Sequence, residues 1–145
     1  MKTKYLYEDI TDKIIRCFYN VFDELGPGFL ESVYEKALIY ELNNMGFKVD
    51  SQKPIQVKYK EIICGNFIAD LIVEDKIIIE IKAISCLLDV HGAQLINYLK
   101  ATSIEVGMLV NFGAKFEFRR KIFTKDYFVP VSEKSARVCG KKRII

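Results

Sequence analysis

The sequence predicts one α/β domain in which two helices lead into three strands, followed by a third helix and a closing run of strand. Three observations predict it. Apolar residues recur at helical spacing before Gly46, strand-like runs replace them afterwards, and a single helical stretch at 89–101 interrupts those runs.

Ile10, Ile14, Cys17, Phe18, Val21, Phe22 and Leu25 repeat at three- and four-residue intervals, which predicts a helix over 8–25. "LGPG" at 25–28 then breaks the chain. A second helix, 29–45, carries Leu30, Val33, Tyr34, Ala37, Leu38 and Leu42 as its apolar stripe, and Gly46 suits its C-terminal stop. "FKVDSQKPIQVKYKE" alternates like a strand, but Pro54 confines it to an edge or a bend. "IICGNFIADLIVE" and "KIIIEIKAIS" read as two further strands. "DVHGAQLINYLKA" reads as a helix with Asp89 as its N-cap. "EVGMLVNFG" is a buried strand, and "KFEFRRKIF" continues the sheet or forms its edge. Residues 1–130 are expected to form the domain and residues 131–145 a basic tail.

At 145 residues, half of them hydrophobic, the chain can bury one real core and is not compositionally disordered. No apolar run approaches the ~18 residues of a membrane span, and the N-terminus lacks the apolar centre of a signal peptide. Cys17, Cys64, Cys86 and Cys139 show no C-x-x-C spacing. They argue against a zinc ribbon or iron–sulfur cluster and fit reduced thiols in a cytoplasmic protein. The net charge of +3 is uneven: −3 over residues 1–50, zero over 51–100 and +6 over 101–145. A basic final third suits either a polyanion or a solvated tail.

The most apolar stretch, "IADLIVEDKIIIEIKA" (68–83), contains Asp70, Glu80 and Lys82. Charges survive in such runs when they are paired, solvated or bound to a metal. Strand alternation puts Glu80 and Lys82 on one face and Ile77, Ile79 and Ile81 on the other. In a hairpin, residues directly opposite have numbers with a constant sum. A three-residue loop, Glu74-Asp75-Lys76, makes that sum 150 and sets Asp70 opposite Glu80 on one face. A two-residue loop would send Asp70 to the wrong face. Two facing carboxylates repel, and a hard divalent cation such as magnesium or manganese removes that cost. An ordinary salt bridge between Lys82 and either acid is the competing explanation.

Asp70 followed by Glu80-Ile81-Lys82 matches a D-x(n)-(D/E)-x-K pattern. "GFLESVY" matches GxxExxY through Gly28, Glu31 and Tyr34, and "HGAQLINYLKAT" supplies Q-x-x-x-Y through Gln94 and Tyr98. On these motifs the chain resembles the GxxExxY protein family of the PD-(D/E)XK nuclease superfamily, over roughly residues 8 to 123. Ala69 stands where that pattern has Pro. The resemblance implies a restriction-endonuclease-like αβββαβ core, a mixed sheet flanked by helices, with an extra N-terminal helix. It also implies a nuclease that uses Mg2+ or Mn2+ to hydrolyse DNA, with RNA as the alternative substrate, leaving a 5′-phosphate and a 3′-hydroxyl.

By the same resemblance Asp70, Glu80 and the Ile81 carbonyl hold the metal, and Glu31 binds its water or a second ion. Lys82 orients the attacking water or offsets developing charge, while Gln94 and Tyr98 position the scissile phosphate. Residue types alone give blander readings. Tyr34 and Tyr98 suit packing with a tethered hydroxyl, Glu31 a first-turn glutamate, and His91 a helix-surface or core-edge position. Lys53, Lys58, Lys60, Arg119, Arg120 and Lys121 are the candidate phosphate contacts. A homodimer or partner protein is expected for so compact a nuclease. A non-catalytic nucleic-acid- or protein-binding module on the same fold is the alternative, and a small-nucleotide phosphoesterase is a third reading.

Overall fold

The computed structural model describes residues 6–124. The elements run α1 (Glu8–Leu25), α2 (Glu31–Asn44), β1 (Val49–Tyr59), β2 (Ile62–Val73), β3 (Ile77–Lys82), α3 (Asp89–Lys100), β4 (Val106–Asn111) and β5 (Glu117–Ile122). They form one five-stranded sheet in the order β1-β2-β3-β4-β5. Only β3 and β4 are parallel, and α3 makes the crossover between them. This is the mixed, helix-flanked α/β arrangement expected, with α1 as the additional helix. Residues 131–145, expected as a tail, lie outside the described residues.

Each face of the sheet has its own helical cover. Ile14, Cys17, Phe18 and Val21 of α1 and Tyr34, Leu38 and Leu42 of α2 pack on Ile77, Ile79, Ile81, Met108 and Val110. Leu95 and Leu99 of α3 pack on Ile72, Ile78 and Leu109. Strand β3 is therefore buried on both sides, which is why its isoleucines run without alternation and why a charge within it stands out. Burial pushes the Cys17 thiol up to about 11, so it is an inert core group. Cys64 is also a free thiol, whereas Cys86 is disulfide-bonded, so the expectation of reduced thiols does not hold there.

The turn between α1 and α2 relies on Gly26 and Gly28, at φ +67° and +113°. Tyr34, fully buried, ties the turn down. Its hydroxyl donates to the Gly26 carbonyl at 2.6 Å and accepts the Phe29 N–H at 3.2 Å, while its ring stacks on Phe112 at 4.7 Å. Tyr34 is thus a packing residue that fixes where α2, and with it Glu31, begins.

Past the ends of β3 and β4, the side chain of Asn111 joins two loops. Its Oδ1 accepts the N–H groups of Ile84 and Gly113, and its Nδ2 donates to the carbonyls of Ile84 and Lys115. Gly113 is in backbone contact there, since an added Cβ would sit 1.6 Å from the Ile84 oxygen. Two expectations change. Leu88, not Asp89, holds the cap position of α3, and its N–H is taken by His91 Nδ1 at 2.9 Å. Arg120 turns to the Leu6 carbonyl at 2.5 Å, a tether rather than a phosphate contact.

Replacing Tyr34 with Phe is expected to cost about 1–2 kcal/mol, because two backbone groups lose their hydroxyl partner while the stacked ring remains. Urea unfolding of the variant against the parent checks this, and an unchanged midpoint would contradict it.

Candidate active site

Strands β2 and β3 pair as Leu71↔Ile79, Ile72↔Ile78 and Val73↔Ile77, so the sum is 150 and the loop is Glu74-Asp75-Lys76. Glu74 and Asp75 lie at φ +55° and +56° without being glycine. Lys48 supports them: its N–H donates to Glu74 Oε2 at 2.6 Å, its carbonyl accepts the Glu74 N–H, and its Nζ lies 2.9 Å from Asp75. These contacts offset the left-handed backbone and lock the register.

The β2–β3 ladder stops at Leu71↔Ile79, one position short of Asp70 and Glu80. There side chains replace backbone partners. The Ile81 N–H donates to Asp70 Oδ2 at 2.8 Å, and the Asp70 N–H donates to Glu80 Oε2 at 3.2 Å. A strand residue's N–H and C=O point to the same neighbouring strand. The Ile81 carbonyl therefore faces the opening beside the two carboxylates.

Burial, then the Asp70 charge, pushes Glu80 up to about 8. Burial likewise raises Asp70, against the lowering effects of the Ile81 N–H, the Lys82 charge and a hydrogen bond from Gln52. Lys82 is close enough to act on both acids, yet among the described residues it forms no ion pair with either. That removes the salt-bridge explanation for these charges.

The other expected residues divide. The Glu31 charge reaches Glu80, although its side chain is exposed in the first turn of α2. Tyr98 stacks on Phe67, three residues before Asp70 on β2, at 3.7 Å, and its hydroxyl is raised by burial and then by the Glu80 and Asp70 charges. Gln94 is exposed, and its side-chain amide makes no hydrogen bond among the described residues. His91 is lowered by burial and then by Lys82 and Arg119, and its Nδ1 is engaged in the cap of α3. It sits at the rim as a structural group.

Two residues were not foreseen. Glu35, one turn beyond Glu31, is raised by burial and then by Asp70. Gln52, at the register position facing Asp70, is left out of the β1–β2 pairing at φ +52°, and its amide donates to Glu35 Oε1 at 2.8 Å. Glu35 was legible as sharing the face of Glu31. Nothing in the local sequence marks Gln52.

Among the described residues no three His, Cys, Asp or Glu side chains form a metal-binding group. The donors on offer are two carboxylates and one carbonyl, all hard oxygens. The acids are partly dehydrated and lack an ion-paired cation. That set fits a divalent magnesium or manganese ion completed by water and does not fit a soft metal. A family model described as the PD-(D/E)XK nuclease superfamily matches residues 8–122. No curated protein and no solved structure gives a significant match.

A carboxyl group held at about 8 when folded, against 4.5 for the free side chain, binds an extra proton in the native state between those values. Stability of the metal-free protein should therefore fall as pH rises through that window, Asp70 adding in the same sense. Thermal melts in a chelator at pH 5.5 and 8.5 should show the drop, and Glu80→Gln should flatten it. Manganese should raise the melting temperature more at the higher pH. Equal slopes in parent and variant would refute the assignment.

Proposed function

Because the chain belongs to the PD-(D/E)XK nuclease superfamily, we propose that it is a magnesium- or manganese-dependent nuclease of the GxxExxY kind, hydrolysing phosphodiester bonds of DNA, with RNA as the alternative substrate. The observation that carries this reading is the opening at the end of β3, where Asp70 and Glu80 face each other and Lys82 stands by unpaired. A module that only binds has no use for two buried acids that repel.

Asp70, Glu80 and the Ile81 carbonyl would hold the cation, with Glu31 reaching its outer waters. The ion would polarise the phosphate and acidify water. Asp70 also acts within the protein itself, since by accepting the Ile81 N–H it keeps that residue's carbonyl turned to the opening. Lys82, free of a carboxylate partner, can hold the attacking water or meet negative charge growing on the phosphoryl oxygens. Tyr98, its ring fixed against Phe67, offers a hydroxyl for positioning the phosphate. Gln94, exposed one turn earlier on α3, is free to join it once substrate covers the helix. Gln52, itself held by Glu35, meets Asp70 from the other side. His91 is not the general base of this reading, since its Nδ1 already serves α3.

The domain of this reading spans residues 1–130, with 131–145 as a basic tail, and its setting is the cytoplasm. No helix among the described residues is long and apolar enough to cross a membrane. A second copy or a partner protein is part of the proposal.

Purified protein with magnesium or manganese should cut plasmid or oligonucleotide DNA and stop on chelation. Asp70→Asn, Glu80→Gln and Lys82→Ala should each reduce the rate by about 10²-fold or more, the usual cost of losing a group that stabilises transition-state charge. Cleavage that survives all three substitutions, or no cleavage of DNA or RNA at all, would overturn the reading.

A further inference from the structure

Strand β2 is twelve residues long, yet only Leu71, Ile72 and Val73 pair with β3. Its remainder pairs with β1 alone, so residues 53–69 form a two-stranded arm reaching beyond the sheet. Between that arm and the C-terminal half of α3 runs a groove of about 1090 Å³. Tyr98, stacked on Phe67 three residues before Asp70 on β2, lies in its wall.

The chemistry of the groove is the reverse of the site's. It contains no Asp or Glu. Lys58 stands on the arm and Lys100 on the helix, so a cation comes from each wall. Gln56 and Asn66, directly opposite one another in the β1–β2 register, and Asn97 on α3 supply three exposed amides. None of these amides makes a hydrogen bond within the described protein. Lys100 also lies 5.6 Å over the Phe123 ring, which holds its stem along the helix end.

We propose that this groove is the track for a single nucleic-acid strand on its way to the acid pair. The inference rests on the nuclease reading for its destination but not for its binding chemistry. Cations on both walls can meet phosphates, and free amides can bond the base edges that only an unpaired strand presents. The Tyr98 ring, backed by Phe67, gives an aromatic surface at the end nearest the site. At about 1090 Å³ the groove has room for a few nucleotides.

Fluorescence anisotropy of labelled oligonucleotides on full-length Glu80→Gln protein tests this without cleavage. Single-stranded DNA and single-stranded RNA of one sequence form two arms, and their duplexes form a third. A single strand should bind at least tenfold more tightly than duplex. Lys58→Ala with Lys100→Ala should weaken it tenfold or more and reduce the log–log salt slope by about 1.4 for two lost phosphate contacts. Asn97→Asp, a change of charge at an exposed helical position, should weaken it as well. Lys13→Ala with Arg16→Ala, an equal charge loss on α1, should leave affinity intact. Equal affinity for duplex, or equal loss in the α1 variant, would overturn the groove. If the binding pattern holds while no cleavage is ever seen, the groove stands and the nuclease reading falls. Metal-dependent cleavage with groove variants that bind normally would remove the groove and leave the nuclease reading in place.

Discussion

The site depends on one hydrogen bond, from the Ile81 N–H to Asp70 Oδ2. Continued at a sum of 150, the β2–β3 ladder would have paired Ile81 with Ala69 and consumed both backbone groups of Ile81. That pair does not form: beyond Leu71, β2 keeps its pairing with β1, as in Ala69↔Lys53, and leaves β3. The strands separate, and a buried N–H left without a partner would cost roughly 1–3 kcal/mol. Asp70 prevents that loss and stays pinned at the mouth of the opening. Separation, acid placement and carbonyl exposure are therefore one event, and none could be changed alone.

Much of this was written in short-range pattern. Helix period gave α1 and α2, and of the two loop lengths open to 68–83 the odd one, which sets Asp70 opposite Glu80, is the one present. What failed to show was whatever depends on a side chain reaching across elements. Gln52 sits in an ordinary alternating stretch, and only its left-handed backbone turns its amide toward Glu35 and Asp70. Asn111 reads as the last residue of a buried strand, although it joins two loops with four hydrogen bonds. Asp89 looked like the cap because its residue type favours that place, but His91, three residues past Leu88, reaches back to take the free N–H.

The same region concentrates backbone strain. Outside the first described residues, the non-glycine residues with positive φ are Gln52, Lys60, Glu74 and Asp75, all along the path from β1 to β3. Each sets geometry for the opening. Glu74 and Asp75 fix the loop length that makes the acids face, Lys60 turns the arm back, and Gln52 breaks the pair opposite Asp70. Such conformations cost of order 1–3 kcal/mol each and persist where surrounding contacts over-determine them. Lys48 supplies those contacts for the loop, and Glu35 does so for Gln52.

Charge segregation is likewise a product of folding rather than of composition. The basic final third of the sequence pointed toward a polyanion, yet its described cations are largely drawn into the fold. Arg120 holds Leu6, Arg119 lies 3.8 Å from Glu117, and the Lys121 side chain packs where a Cβ at Gly92 would be. The cations left facing solvent beside the site, Lys58 and Lys100, come from the segment of zero net charge. There an acid-free groove adjoins an acid pair, with Tyr98 between them. On the proposed reading a polyanion attracted by the groove would be repelled by Asp70 and Glu80 unless a divalent cation had cancelled their charge. On that reading, metal in the opening and a strand in the groove would be coupled by Coulomb's law, each favouring the other.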